Sequence, residues 1–168
     1  NTKPRRHAND DDGQTRDRRT LRIRRRPCRR GRGPGRLRTR GRRIRVGDDI
    51  TVVSWGAMVH RCAAAAASFG DRVELIDLRT IAPWDRNAVL DSVRKTHRCL
   101  IVHEDNLTAG FGAEIASVLA SEAFWYLDAP VERLAPRDIP MPYHEVLLSA
   151  VLPDVDEISA AITRLLAV

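Results

Sequence analysis

His103-Glu104-Asp105-Asn106 is the densest group of side chains able to ligate a metal or move a proton. A zinc-dependent hydrolase of the H-E-x-x-H type sets two histidines on one face of a helix. Here the second histidine is missing, and the segment follows an apolar run that reads as a strand. His103 and Glu104 are therefore expected to bond backbone at the sheet end, or a partner, rather than to catalyse. Thr108-Ala109-Gly110-Phe111-Gly112 opens a helix, whose first amides can hold an anion. A dinucleotide fingerprint needs a third glycine where Ile115 stands, and a nucleoside-triphosphate loop needs a lysine. A tight strand-to-helix turn is the expectation. Arg79 and Asp85 flank Pro83-Trp84 and read as an ion pair bracing that loop. Ser54 and Ser68 lack the histidine and acid of a nucleophile elbow, so a hydrolase is not supported. Cys28, Cys62 and Cys99 form no C-x-x-C pair, which argues against a zinc site or redox dithiol.

The elements that must position these groups begin near Gly47. Ile50–Trp55 is a β-branched run and reads as a buried strand. Ala57–Phe69 follows as a helix with Val59, Cys62, Ala63, Ala66 and Phe69 at helical spacing, stopped by Gly70. Val73–Leu78 is a second strand. Asp85 caps a helix that faces inward through Val89, Leu90 and Val93. Arg98–Val102 is a third strand, nearly all apolar, as strands of parallel sheets are. The next helix runs to Glu122 with Ile115, Val118 and Leu119 inward. Pro130–Leu134 is a weaker fourth strand, and His144–Ala150 a short helix. Asp154 and Glu157 have capping-box spacing for a last helix with Val155, Ile158, Ala161, Ile162 and Leu165 on its apolar face. Alternating strands and helices imply a parallel sheet between helix layers. Ligands of such sheets favour the carboxyl ends of the strands, where Gly56–His60, Asp77–Asp85 and His103–Asn106 fall.

The charge divides the chain. Residues 1–46 hold 19 Lys+Arg against 4 Asp, a net of +15; residues 47–168 hold 10 Lys+Arg against 18 Asp+Glu, a net of −8. Arg22–Arg45 carries only Ile23, Leu37 and Ile44 as large apolar residues, too few to offset the entropy of ordering. Disorder is expected to Val46. Three readings compete for this stretch: a polyanion-binding tail, a solvated linker, or a GC-rich gene translated out of frame. As a single-strand binder it lacks aromatics, since none occurs before Trp55. The chain starts at Asn1 rather than Met, as a piece of a longer protein would. No apolar run spans a bilayer and no signal peptide is visible. Asp10, Asp11, Asp12 and Asp17 oppose a mitochondrial presequence. With cysteines of core type, a cytoplasmic, reducing setting is expected.

Four segments occur together in order: Ser54–His60 (SWGAMVH), Ile76–Asp85 (IDLRTIAPWD), Ile101–Ile115 (IVHEDNLTAGFGAEI) and Ala135–Tyr143 (APRDIPMPY). This set resembles the C-terminal domain of the β subunit of thiamine-diphosphate-dependent 2-oxo acid dehydrogenases. His103-Glu104 and Trp55 resemble the branched-chain member more than the pyruvate one. The resemblance implies a transketolase C-terminal fold, a three-layer α/β/α sandwich on about five mostly parallel strands, over 47–168. It implies a role in assembly and docking, with an α subunit, a second β subunit and a lipoyl acyltransferase core as partners. Thiamine diphosphate and magnesium would belong to the parent complex, held by other parts. No catalytic or cofactor residue carries over, and this chain alone is not expected to turn over 2-oxo acids. For partner contacts the proline-stiffened loop of Asp138, Pro140, Pro142 and Tyr143 is the candidate, because a rigid loop loses less entropy on docking. Two other functions stand beside this one. The basic stretch could bind nucleic acid, which the −8 body opposes, or the body could bind a small molecule at the Thr108–Gly112 turn.

Overall fold

The computed structural model describes residues 41–168. Five strands form one sheet: β1 (Arg42–Arg45), β2 (Ile50–Ser54), β3 (Val73–Asp77), β4 (Cys99–Val102) and β5 (Glu132–Leu134), in the order β1-β3-β2-β4-β5. β2, β3, β4 and β5 run parallel, and β1 pairs antiparallel with the outer edge of β3. The helices are α1 (Met58–Ala66), α2 (Arg86–Thr96), α3 (Phe111–Glu122), α4 (Glu145–Val151) and α5 (Val155–Leu166).

The strands alternate, and each face of the sheet builds its own core. Ile50, Val52, Val73, Leu75, Leu100 and Val102 meet Met58, Cys62 and Ala66 of α1 and Ile158, Ala161, Ile162 and Leu165 of α5. Val53, Ile76, Cys99 and Ile101 meet Val89, Leu90 and Val93 of α2 and Ile115 and Leu119 of α3. Both faces are covered, so the strands read as apolar runs, and the expected three layers are present. Among the described residues, no helix is long and apolar enough to cross a membrane.

Three expectations change. The largest concerns the arginine-rich segment. Composition assigned everything to Val46 to disorder, but Arg42–Arg45 form the edge strand β1. Pairing with β3 satisfies one side of its backbone, and Arg43 and Arg45 find polar partners in Glu74 and the Gly70 carbonyl. Charged side chains also suit an edge strand, since they discourage pairing with further chains. The other part of that expectation, on residues 1–40, lies outside the described residues. The second change is that α1 stops at Ala66 and a 3-10 turn, Ala67–Arg72, replaces its last turn. The Ser68 hydroxyl donates to the Ala65 carbonyl at 2.9 Å, and Gly70 turns the chain at φ +55°. Third, Arg79 does not pair with Asp85. Its side chain and its own N–H both bond Asp77, at 3.3 and 3.1 Å. Asp85 instead caps α2 by accepting from the Ala88 amide at 3.2 Å, and accepts from the Gly41 amide at 2.9 Å.

Candidate functional site at the carboxyl end of the sheet

The carboxyl end of β4 delivers His103 beneath the first turn of α3. Its side chain is fully buried, and its ring stacks on Trp55, 5.2 Å between centroids and 8° from parallel. Phe111 meets Trp55 edge-on at 5.7 Å and Trp84 at 6.3 Å. The glycines of the following turn make this packing possible. A Cβ on Gly112 would lie 2.3 Å from His103 Nε2, and one on Gly110 would lie 2.1 Å from the Asn106 carbonyl oxygen. The G-x-G spacing therefore serves close approach of helix to strand end. Burial pushes the His103 ring below its ordinary value; the nearby Asp105 opposes the shift and Arg133 adds to it. Burial thus favours the neutral ring, which stacks on Trp55 against the first turn of α3; among the described residues neither ring nitrogen has a hydrogen-bond partner, so the expected bond from His103 to backbone is not made.

Glu104, next along, is exposed and lies over Gly56, where an added Cβ would stand 3.1 Å from its Oε1. His103 and Glu104 thus point to different surroundings and do not form an acid/base pair. Arg79 and Asp85 are separated in the same way, each bonded elsewhere. Among the described residues, none of the four strand-end residues His103, Glu104, Arg79 and Asp85 is hydrogen-bonded or ion-paired to another. Among the described residues, no group of three or more His, Cys, Asp and Glu side chains could hold a metal ion.

The proline loop is tied to the α3 entry turn. Asp138 Oδ1 accepts from the Thr108 amide at 3.0 Å, Leu107 N–H donates to the Pro136 carbonyl at 3.2 Å, and Arg133 donates to the Leu107 carbonyl at 2.7 Å. The hydrogen bond from Thr108 holds the Asp138 carboxyl below its usual value. Beyond this anchor the loop turns apolar groups outward: Ile139, Met141 and Tyr143 are exposed, as are Val146 and Leu147 on α4. Pro140 is exposed and Pro142 half-buried. Of the partner-contact candidates, Asp138 is therefore an internal brace, while Tyr143 stands free.

A second surface escaped the sequence reading. Phe124-Trp125-Tyr126 form a 3-10 turn after α3, with Trp125 91 % exposed. Phe124 and Trp125 border a groove of about 610 Å³ together with Ala116, Ala120, Ala129, Pro130 and Val131. The signal was three consecutive aromatics, which cannot all face one core from a single turn.

A family model described as transketolase, C-terminal domain, matches residues 39–158. The chain belongs to the transketolase C-terminal domain family. The match begins before Arg42, in agreement with β1 as part of the fold. Among relatives of this transketolase C-terminal domain, the β subunit of mitochondrial 2-oxoisovalerate dehydrogenase of Chaetomium thermophilum is 48 % identical over 118 residues, which cover 67 % of this chain and 25 % of that protein. The pyruvate dehydrogenase E1 component subunit beta of Rickettsia conorii is 40 % identical over 125 residues, covering 72 % of this chain and 38 % of that protein. Among solved structures, a split gene transketolase, an inactive beta4 tetramer, superposes with a TM-score of 0.65 at 26 % identity, over 77 % of this chain and 42 % of that one. The chain thus spans between a quarter and two fifths of the curated relatives named here. Branched-chain and pyruvate β subunits both stand among them.

Proposed function

We propose that this chain is the C-terminal assembly and docking domain of a 2-oxo acid dehydrogenase β subunit, in a complex that oxidatively decarboxylates a branched-chain 2-oxo acid. The observation that carries the reading is the transketolase C-terminal domain match over residues 39–158, with β subunits of 2-oxo acid dehydrogenases among the relatives. At the strand end, His103 is buried under α3, where a Cβ added to Gly112 would stand 2.3 Å from its Nε2, so these residues serve packing. Its partners in this reading are an α subunit, a second β subunit and a lipoyl acyltransferase core. Thiamine diphosphate and magnesium are held elsewhere in that complex. The exposed apolar run of Ile139, Met141, Tyr143, Val146 and Leu147 suits burial in a subunit interface. The branched-chain assignment rests on His103-Glu104 and Trp55, of which Trp55 and His103 stack on each other while Glu104 stands exposed. A cytoplasmic location goes with Cys62 and Cys99, both free and buried thiols.

The test joins this domain to a β-subunit pyrimidine-binding domain and co-expresses it with an α subunit. A complex that co-purifies and decarboxylates 2-oxoisovalerate faster than pyruvate is expected. The reverse preference would refute the branched-chain assignment alone. Failure of the joined subunit to bind any α subunit would refute the assembly role, as would turnover of a 2-oxo acid by the present chain by itself.

A further inference from the structure

Strand β1 contributes no side chain to either core. Apart from its ladder to β3, its attachments among the described residues are three polar contacts along Gly41–Arg45. Gly41 N–H donates to Asp85 at 2.9 Å, Arg45 Nη2 donates to the Gly70 carbonyl at 2.6 Å, and Arg43 Nε lies 3.2 Å from Glu74 Oε1. Arg43 opposes Ile76 in the register, so Glu74 is its diagonal neighbour on the same face of the sheet.

Glu74 is the unusual member of this set. Its side chain is fully buried against α2. Ser92 Oγ donates to Oε1 at 2.6 Å and Lys95 Nζ to Oε2 at 2.5 Å, and Lys95 also reaches Asp48 at 3.4 Å. An ionised carboxylate only accepts, and each hydroxyl has one proton to give. With the Ser92 proton committed to Glu74, Thr51 must donate to Ser92 across 2.6 Å. The Thr96 hydroxyl lies 2.7 Å from Thr51 Oγ1 and also within reach of the Ser92 and Arg98 carbonyls, at 3.1 and 3.3 Å. The charge on Glu74 therefore orients the Ser92 and Thr51 hydroxyls, which join α2 to β2, and faces two cations on different elements. Burial raises its carboxyl, but the hydrogen bonds from Lys95 and Ser92, with the charges of Arg43 and Lys95, outweigh that and hold it below its ordinary 4.5.

We propose that Glu74 is a charge latch for the edge strand: ionised, it clamps Arg43 and β1 to the sheet, and neutral, it releases β1 while both cores stay folded. Release bares the outer N–H and C=O groups of β3, Val73–Asp77, as a row able to pair with another strand. The latch is closed above the ordinary carboxylate range and opens as pH falls through the lowered value, since protonation removes the partner of Arg43.

Hydrogen–deuterium exchange of the full chain tests this, read by mass spectrometry on peptides covering 41–47 and corrected for the intrinsic pH dependence of exchange. At neutral pH, Glu74→Gln and Arg43→Gln should each speed exchange in β1 tenfold or more, with β2 and β4 as protected as in the parent chain. The parent chain should show that loss only in acid, and Glu74→Gln should no longer respond to pH in β1. Unchanged β1 protection in Arg43→Gln would overturn the latch. So would acid release of β1 that is as large in Glu74→Gln as in the parent. If Glu74→Gln unfolds throughout, Arg43→Gln decides, because it leaves Glu74 its bonds to Ser92 and Lys95.

Discussion

Gly112 and His103 meet so closely that neither can be judged alone. Alanine at 112 places a methyl 2.3 Å from the Nε2 of a fully buried ring that stacks on Trp55. Overpacking of this kind costs about 1–3 kcal/mol. We expect Gly112→Ala to lower the urea midpoint accordingly, and His103→Ala in the same chain to restore part of the loss, as coupled neighbours do. A double variant with purely additive losses would refute the contact. His103 also carries a pH signature. Its folded value lies below the ordinary 6.5, so the unfolded chain takes up the proton first as pH falls. Its contribution is full above 6.5 and declines below it until the folded value is reached. Urea unfolding between pH 7.5 and 5 should therefore show a smaller loss of stability in His103→Gln than in the parent chain.

Two helix caps of the same residue type should differ in weight. Asp154 closes a capping box with Glu157, accepting from its amide at 2.7 Å while the Glu157 side chain accepts from the Asp154 amide at 3.1 Å. Asp154→Ala should cost about 1 kcal/mol, the usual worth of a cap. Asp85 caps α2 and in addition holds the Gly41 amide at the head of β1. Asp85→Ala should cost more than Asp154→Ala in thermal or urea unfolding, and should loosen β1. Equal losses would mean that the Gly41 contact contributes nothing. In the core, Ile162 of α5 is fully buried beneath the sheet, and Ile162→Ala should cost about 2–5 kcal/mol.

The domain boundary decides how the whole chain behaves. With Arg42, Arg43 and Arg45 inside the fold, residues 41–168 hold 13 Lys+Arg against 18 Asp+Glu, a net of −5 rather than the −8 of residues 47–168. A truncation that starts at Gly47 deletes β1 and bares the edge of β3, whereas one that starts at residue 39 keeps it. The shorter chain should melt lower and elute as larger species on size exclusion, because an open apolar edge strand pairs with its like. Equal melting and elution of the two would show β1 to be dispensable. Any binding of DNA should fall steeply with salt and vanish when residues 1–38 are removed, since the body repels phosphate.

The order of elements was legible from residue types, because hydrophobic period, capping residues and glycine stops are local signals. So were the apolar face of α5, its capping box and the alternation of strand and helix that makes a parallel sheet. The family was legible too, from four motifs in register. The partners of charged groups were not. Arg79 stands between two aspartates in the sequence, and only the course of the backbone after β3 gives it Asp77 rather than Asp85. Gly110 and Gly112 mark a tight strand-to-helix turn in the sequence, as found, but only the fold shows that His103 is what Gly112 makes room for. The strand β1 has no apolar pattern of its own and is a strand because a distant edge, thirty residues on, accepts its backbone bonds. What the sequence determined by itself is which segments must hide from water, a property of each side chain. What only the tertiary structure decided is which polar groups face each other across the chain, since that depends on where the buried segments come to rest.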